Sequence, residues 1–175
     1  MKTRASATPP ALSRRTELLL SSLSFYGAYH DNVANKAIHV LFVPCIWWSA
    51  AVALCAVPLP VATATPLSAA ALLWLFSAAA YCYLEPLAGI VAALVYAALL
   101  VAAQRFYEQT EHALAAALAV HVVGWFAQIA VGHAIFEKRK PALLDNLAGA
   151  LFLAPFFVVL EARVQRCAAA WHGSR

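Results

Sequence analysis

Residues 124–146 read GWFAQIAVGHAIFEKRKPALLDN. The first thirteen carry no charge and are mostly apolar, as a membrane helix requires, and charge then arrives together from Glu137 to Lys140. Inside the apolar run sit Gln128 and His133. Lipid offers an amide or an imidazole no hydrogen-bond partner, so such residues turn toward the interior of a helical bundle. The stretch FYGAYHDNVANKAIHVLFVP, residues 25–44, repeats the pattern with His30 and His39. Together the two stretches predict an all-α integral membrane bundle with a polar, histidine-bearing site at one end.

The rest of the chain agrees. Of 175 residues, 64% are hydrophobic and 11% charged, and mean hydropathy is +0.75. A soluble domain is about 45–50% apolar and about 25% charged. Apolar runs cover 37–57, 66–84, 87–103 and 113–136, each close to the ~20 residues that span a hydrocarbon core. A fifth, 147–160, is shorter and contains Pro155. About four full spans are expected, with a short fifth apolar helix that does not cross and an amphipathic N-terminal surface helix over 16–30. The chain divides into a disordered polar tail (1–15), one membrane-embedded catalytic domain (16–164) and a basic tail (165–175). The N-terminus lacks the continuous apolar core of a secretory signal and carries Arg14, Arg15 and Glu17.

The net charge is +4, but the basic residues flank apolar segments as topology signals do, which argues against nucleic acid. They place the N-tail, the 137–146 loop and the C-tail in the cytosol. His30, His39 and His133 then gather at the cytosolic end, and His121 lies about 18 Å deeper along a straight helix. Cys45, Cys55, Cys82 and Cys167 have no CxxC spacing and read as small packing residues.

Neutral imidazole is a common ligand for iron and zinc. His30 and His39 are nine residues apart, about 180° apart on a continuous helix. They share a metal only if the chain bends between them, and Asp31, Asn32 and Asn35 are turn and N-cap residues. His133 completes the site from another helix. Gln128 shares a stripe with His121 and Trp125. It serves either as interhelical hydrogen-bond glue or as a substrate or ligand partner. Glu137, four residues after His133, either orients that ring or is a helix-end charge. Lys138, Arg139 and Lys140 serve topology or receive an anionic head group.

These elements resemble the family of endoplasmic-reticulum 2-hydroxy fatty acid dioxygenases first known from yeast. The resemblance runs from Phe25 to Glu161. It is carried by the Tyr-His pair with a histidine nine residues on, and by W-x-x-Q-x-x-x-x-H followed by E-K-R-x-P-A-L-x-D-N. It implies an Fe(II)-dependent enzyme of fatty acid α-oxidation that uses O2 to shorten a long-chain 2-hydroxy acid by one carbon, linked to phytosphingosine breakdown. Metal ligands carried over by position are His30, His39 and His133, with His121 as a less secure fourth. Gln128 and Glu137 are expected to be catalytic. Lys138, Arg139, Lys140 and Asp145 are expected to bind the substrate head. Some members have a second histidine where this chain has Asp31. The implied location is the endoplasmic reticulum membrane, or the inner membrane of a bacterial host. A membrane lipid carrier with a structural metal is the alternative from a different class. A desaturase-type centre would need HxxH or HxxHH boxes, and the sequence has none.

Overall fold

The computed structural model describes residues 12–60 and 68–173, with side chains up to residue 161. Most of the expected polar tail and the side chains of the basic C-tail lie outside the described residues. Among the described residues the chain is helical: α1 (Arg14–Gly27), α2 (Val33–Cys55), α3 (Ala69–Leu84), α4 (Pro86–Gln109), α5 (Ala113–Phe126) and α6 (Leu147–Gly173). α5 continues directly into a π-helical segment, Ala127–Glu137, and a single 3-10 turn, Ala142–Leu144, precedes α6.

The boundaries have local causes. Asn32 caps α2, its side chain accepting from the N–H groups of Ala34 and Asn35. Glu85 is extended, which ends α3, and its carboxylate accepts from Leu87 and Ala88 N–H at the start of α4. Pro86 takes the first position of α4, where its missing N–H costs nothing. Lys138 ends the π segment in the left-handed conformation, φ 55°.

α2 is the central helix, packed on α3, α4, α5, the π segment and α6. The core between helices is built from small residues, with Ala51, Ala70, Ala88, Ala92 and Ala103 wholly buried. Such residues let helix backbones approach where lipid supplies no hydrophobic drive. Gly89 is the tightest case, since a Cβ there would run into the Cys82 backbone. Two buried tyrosines tie α6 to the bundle: Tyr81 donates to Phe152 O (2.5 Å) and Tyr96 to Pro155 O (3.2 Å). Large apolar residues such as Leu94, Leu118 and Phe126 stand exposed on the outer faces, as in a bundle solvated by lipid.

Among the described residues, three helices are long and apolar enough to cross a membrane: Val33–Cys55, Pro86–Gln109 and Ala113–Glu137. Within the second expected span, 66–84, the described residues form the helix Ala69–Leu84, 16 residues. That length rises ~24 Å, against a core of ~30 Å. Its N-cap, Ser68, is extended and pairs with Pro58 in an isolated bridge. The fifth apolar segment is longer than expected: α6 has 27 residues, though its apolar part is Leu147–Glu161.

Candidate metal centre

His30 ends the turn after α1, His39 lies in the second turn of α2, and His133 lies in the π segment. All three are buried. Their ligand-capable nitrogens lie within 4.8 Å of one another. Ring centroids are 4.5–5.1 Å apart, and the three rings are close to mutually perpendicular, at 82°, 71° and 85°. No pair stacks; each pair meets edge to face.

Hydrogen bonding fixes two of the tautomers. His30 Nδ1 is 2.8 Å from Tyr26 O, and His39 Nδ1 is 3.0 Å from Asn35 O. A carbonyl only accepts, so each Nδ1 carries the proton and each neutral ring keeps a bare lone pair at Nε2. Those two Nε2 atoms face each other at 3.2 Å. Two lone pairs in that position repel unless a cation lies between them. Nδ1 of His133 is buried and has no hydrogen-bond partner. Burial pushes the His30 imidazole below its usual range, despite the Tyr26 carbonyl and Glu137, so it is neutral at pH 7, the form that ligates metal. The donor set therefore suits a divalent cation of the iron or zinc type.

The π segment matters to this arrangement. Gln128 and His133 are five residues apart, as are Gly132 and Glu137, and all four are buried. On an α-helix, residues five apart diverge by about 140°. The wider turn with i→i+5 bonding brings each pair back to one face. Gln128 Nε2 is buried with no partner, and it lines the same cavity as the three histidines.

Glu137 does not hydrogen-bond His133. Its carboxylate accepts from Asp31 N (2.9 Å), Asn32 N (3.1 Å) and Asn35 Nδ2 (2.9 Å). Asn35 Oδ1 has no partner and sits where a side chain at residue 132 would begin. Tyr26 stacks on His30, centroids 3.9 Å apart, and packs on Phe157 of α6. Neither Asn35 nor Tyr26 was singled out as a site residue from sequence. The signal for each was its place four residues before a candidate ligand, where its carbonyl meets the ligand's ring.

His121, the less secure fourth ligand of the expectation, lies outside the group of three and makes contacts of its own. Trp125 Nε1 donates to its Nε2 (3.0 Å), so the proton is on Nδ1, which meets Ser49 Oγ at 2.8 Å. Ser49 in turn donates to Ile46 O. With both nitrogens engaged, His121 has no free lone pair.

Four loop residues expected to bind substrate take separate places. Lys138 is exposed. Arg139 donates to Ala28 O (3.1 Å). Lys140 pairs with Asp145 at 2.6 Å, and Tyr29 also donates to Asp145. These bonds, Lys140 first, hold the Asp145 carboxyl below its usual range, and they tie the 138–145 loop to the end of α1.

A cavity of about 630 Å³ opens beside the histidines, within the range of small-molecule sites, about 300–1,000 Å³. Its lining is mostly apolar and includes Phe25, Val43, Ile46, Trp47, Leu153 and Phe157. It reaches from His30 and His133 down to His121 and Trp125.

Residues 18–166 match the family model described as 2-hydroxy-palmitic acid dioxygenase Mpo1-like. The 2-hydroxy-palmitic acid dioxygenase MPO1 of Saccharomyces cerevisiae is 36% identical over 143 residues, 82% of this chain and 78% of the yeast protein. No solved structure matches.

Proposed function

The chain belongs to the 2-hydroxy-palmitic acid dioxygenase Mpo1-like family, and from that premise we propose that it shortens long-chain 2-hydroxy fatty acids by one carbon with O2, at one Fe(II) held by His30, His39 and His133. The observation that carries the reading is the pair of bare Nε2 atoms facing at 3.2 Å beside the unpartnered Nδ1 of His133, at the polar end of an apolar cavity. The reaction R–CHOH–COOH + O2 → R–COOH + CO2 + H2O closes in atoms and electrons with no further reductant. Iron supplies the redox chemistry with O2 that no side chain here provides.

The protein's own residues bind, orient and exclude water. The apolar walls take the alkyl tail, which places the carboxyl and 2-hydroxyl groups at the histidine end. Tyr26 on His30 and Phe157 behind it keep that end dry. Gln128 offers a buried N–H donor to the substrate's oxygens. Lys138, exposed, attracts the carboxylate, and Arg139, Lys140 and Asp145 hold the loop that presents it. The enzyme works in a membrane, which we assign to the endoplasmic reticulum, or to the inner membrane in a bacterial host.

The test is anaerobic purification in detergent, loading with Fe(II), and incubation with 2-hydroxypalmitate and O2. We expect one iron per chain and pentadecanoate as product. A product of unchanged carbon number, or turnover in the metal-free protein, would overturn the assignment. Gln128→Leu should lower turnover by about 10–100-fold, the usual scale for groups that orient ligands, while melting temperature and iron content stay near wild type. Normal turnover per iron would leave Gln128 as interhelical glue, with a stability cost of roughly 0.6–2 kcal/mol.

A further inference from the structure

We propose that Glu137 is the positioning residue of the metal centre, its one carboxylate fixing the chain bend that lets His30 and His39 serve the same ion. This rests on the reading of the three histidines as metal ligands.

The bend is a structural problem first. With His30 and His39 nine residues apart, a single helix would send them to opposite faces. The helix ends at Gly27 and restarts at Val33, so His30 lies in the break. A break leaves N–H groups without helical partners, here those of Asp31 and Asn32. Glu137 Oε1 takes the first, and Oε2 takes the second. Oε2 also holds the Asn35 side-chain amide, and the Asn35 backbone carbonyl takes the His39 Nδ1 proton. The carboxylate therefore grips the chain directly after the first ligand and one turn before the second. It does so from the helix that carries the third, four residues beyond His133.

Three N–H donors satisfy the buried carboxylate without a cation, and its seat at the start of α2 is favoured by the helix dipole. The grip also needs room. Gly132 lies one π turn before Glu137 and has no Cβ where Asn35 Oδ1 sits. A helix cap alone would require one acceptor and no partner on the far side of Asn35. The observed contacts instead join all three ligand-bearing segments through one group.

Co(II), whose visible spectrum reports ligand geometry, is the probe. The full-length protein in detergent is titrated with Co(II) as wild type, His39→Ala, Glu137→Gln, Asn35→Ala and Asn35→Asp, and as the double variant Glu137→Gln/Asn35→Asp. Glu137→Gln turns an NH2 toward N–H donors. We expect Co(II) affinity to fall about 10–100-fold with an altered spectrum. Asn35→Ala keeps the carboxylate charge and both backbone bonds and should still lose several-fold, which separates position from charge. The double variant restores a donor–acceptor pair between positions 137 and 35 and should bind more tightly than the two single losses predict.

Wild-type affinity and spectrum in both Glu137→Gln and Asn35→Ala overturn the proposal and leave the metal site standing. Should Glu137→Gln not fold, an unchanged Asn35→Ala overturns it alone. Wild type that binds no Co(II), or binds it no better than His39→Ala, removes the metal reading itself.

Discussion

His133→Ala is expected to empty the metal site and stop turnover together, and His30→Ala and His39→Ala to do the same. The loss in turnover should exceed the ~100-fold upper scale for residues that only orient ligands. The control is His112→Ala, an exposed residue at the start of α5, which should change neither quantity. A second readout needs no activity. Metal that binds only the folded state stabilises it by RT ln(1 + [M]/Kd), about 2.7 kcal/mol at 100 times Kd. Fe(II) under anaerobic conditions, or Zn(II), should therefore raise the melting temperature of wild type and of His112→Ala but not of the three ligand variants. An equal shift in His133→Ala would mean that the ion binds elsewhere, and the centre would have to be redrawn.

Gly132→Ala is expected to be the most damaging single-methyl change at the metal centre. The new Cβ would occupy the place of Asn35 Oδ1. That oxygen ends a short side chain, so in an open site it would move aside. Here Asn35 is wholly buried and its amide is held by Glu137. To yield, Asn35 must leave the carboxylate, or the π segment must slide from α2. Overpacking of this kind costs typically ~1–3 kcal/mol. The variant should melt earlier, and its bound iron should fall with the loss of the bend. A useful comparison is Gly27→Ala, where a Cβ meets nothing within 4 Å and little should change. Wild-type stability and iron in Gly132→Ala would show that Asn35 has another place to go.

The membrane bundle and its three histidines could be read from the sequence because both leave strong local marks. Long uncharged apolar runs are uncommon outside membrane helices, and a histidine within one must be accounted for. The nine-residue spacing of His30 and His39 announced the bend, and the turn residues between them located it. The same spacing separates Gln128 from Glu137, and on an α-helix it would have sent them to opposite faces. Both are buried on the site side, so that spacing was the mark of the π turn. It passed unread because an apolar helix keeps its hydrophobicity at any pitch. His121 carries no such local mark. It shares a stripe with Gln128, but its contact with Ser49 is fixed only when α2 and α5 meet. The role of Glu137 was invisible for the same reason, since its three donors lie over 100 positions earlier in the chain.

The π turn also bears on how this protein can change over time. Extended π-helix is rare and gives up the tighter bonding of an α-helix. Any substitution or one-residue deletion that lets Ala127–Glu137 relax to α-helical pitch gains stability and scatters Gln128, His133 and Glu137 around the axis. Selection for a hardier fold and selection for the reaction then pull on this segment in opposite directions. Lineages or laboratory libraries screened for robustness alone would drift toward well-packed membrane bundles that have shed the chemistry, and the first sign of that drift would be a shortened interval between the tryptophan and the glutamate.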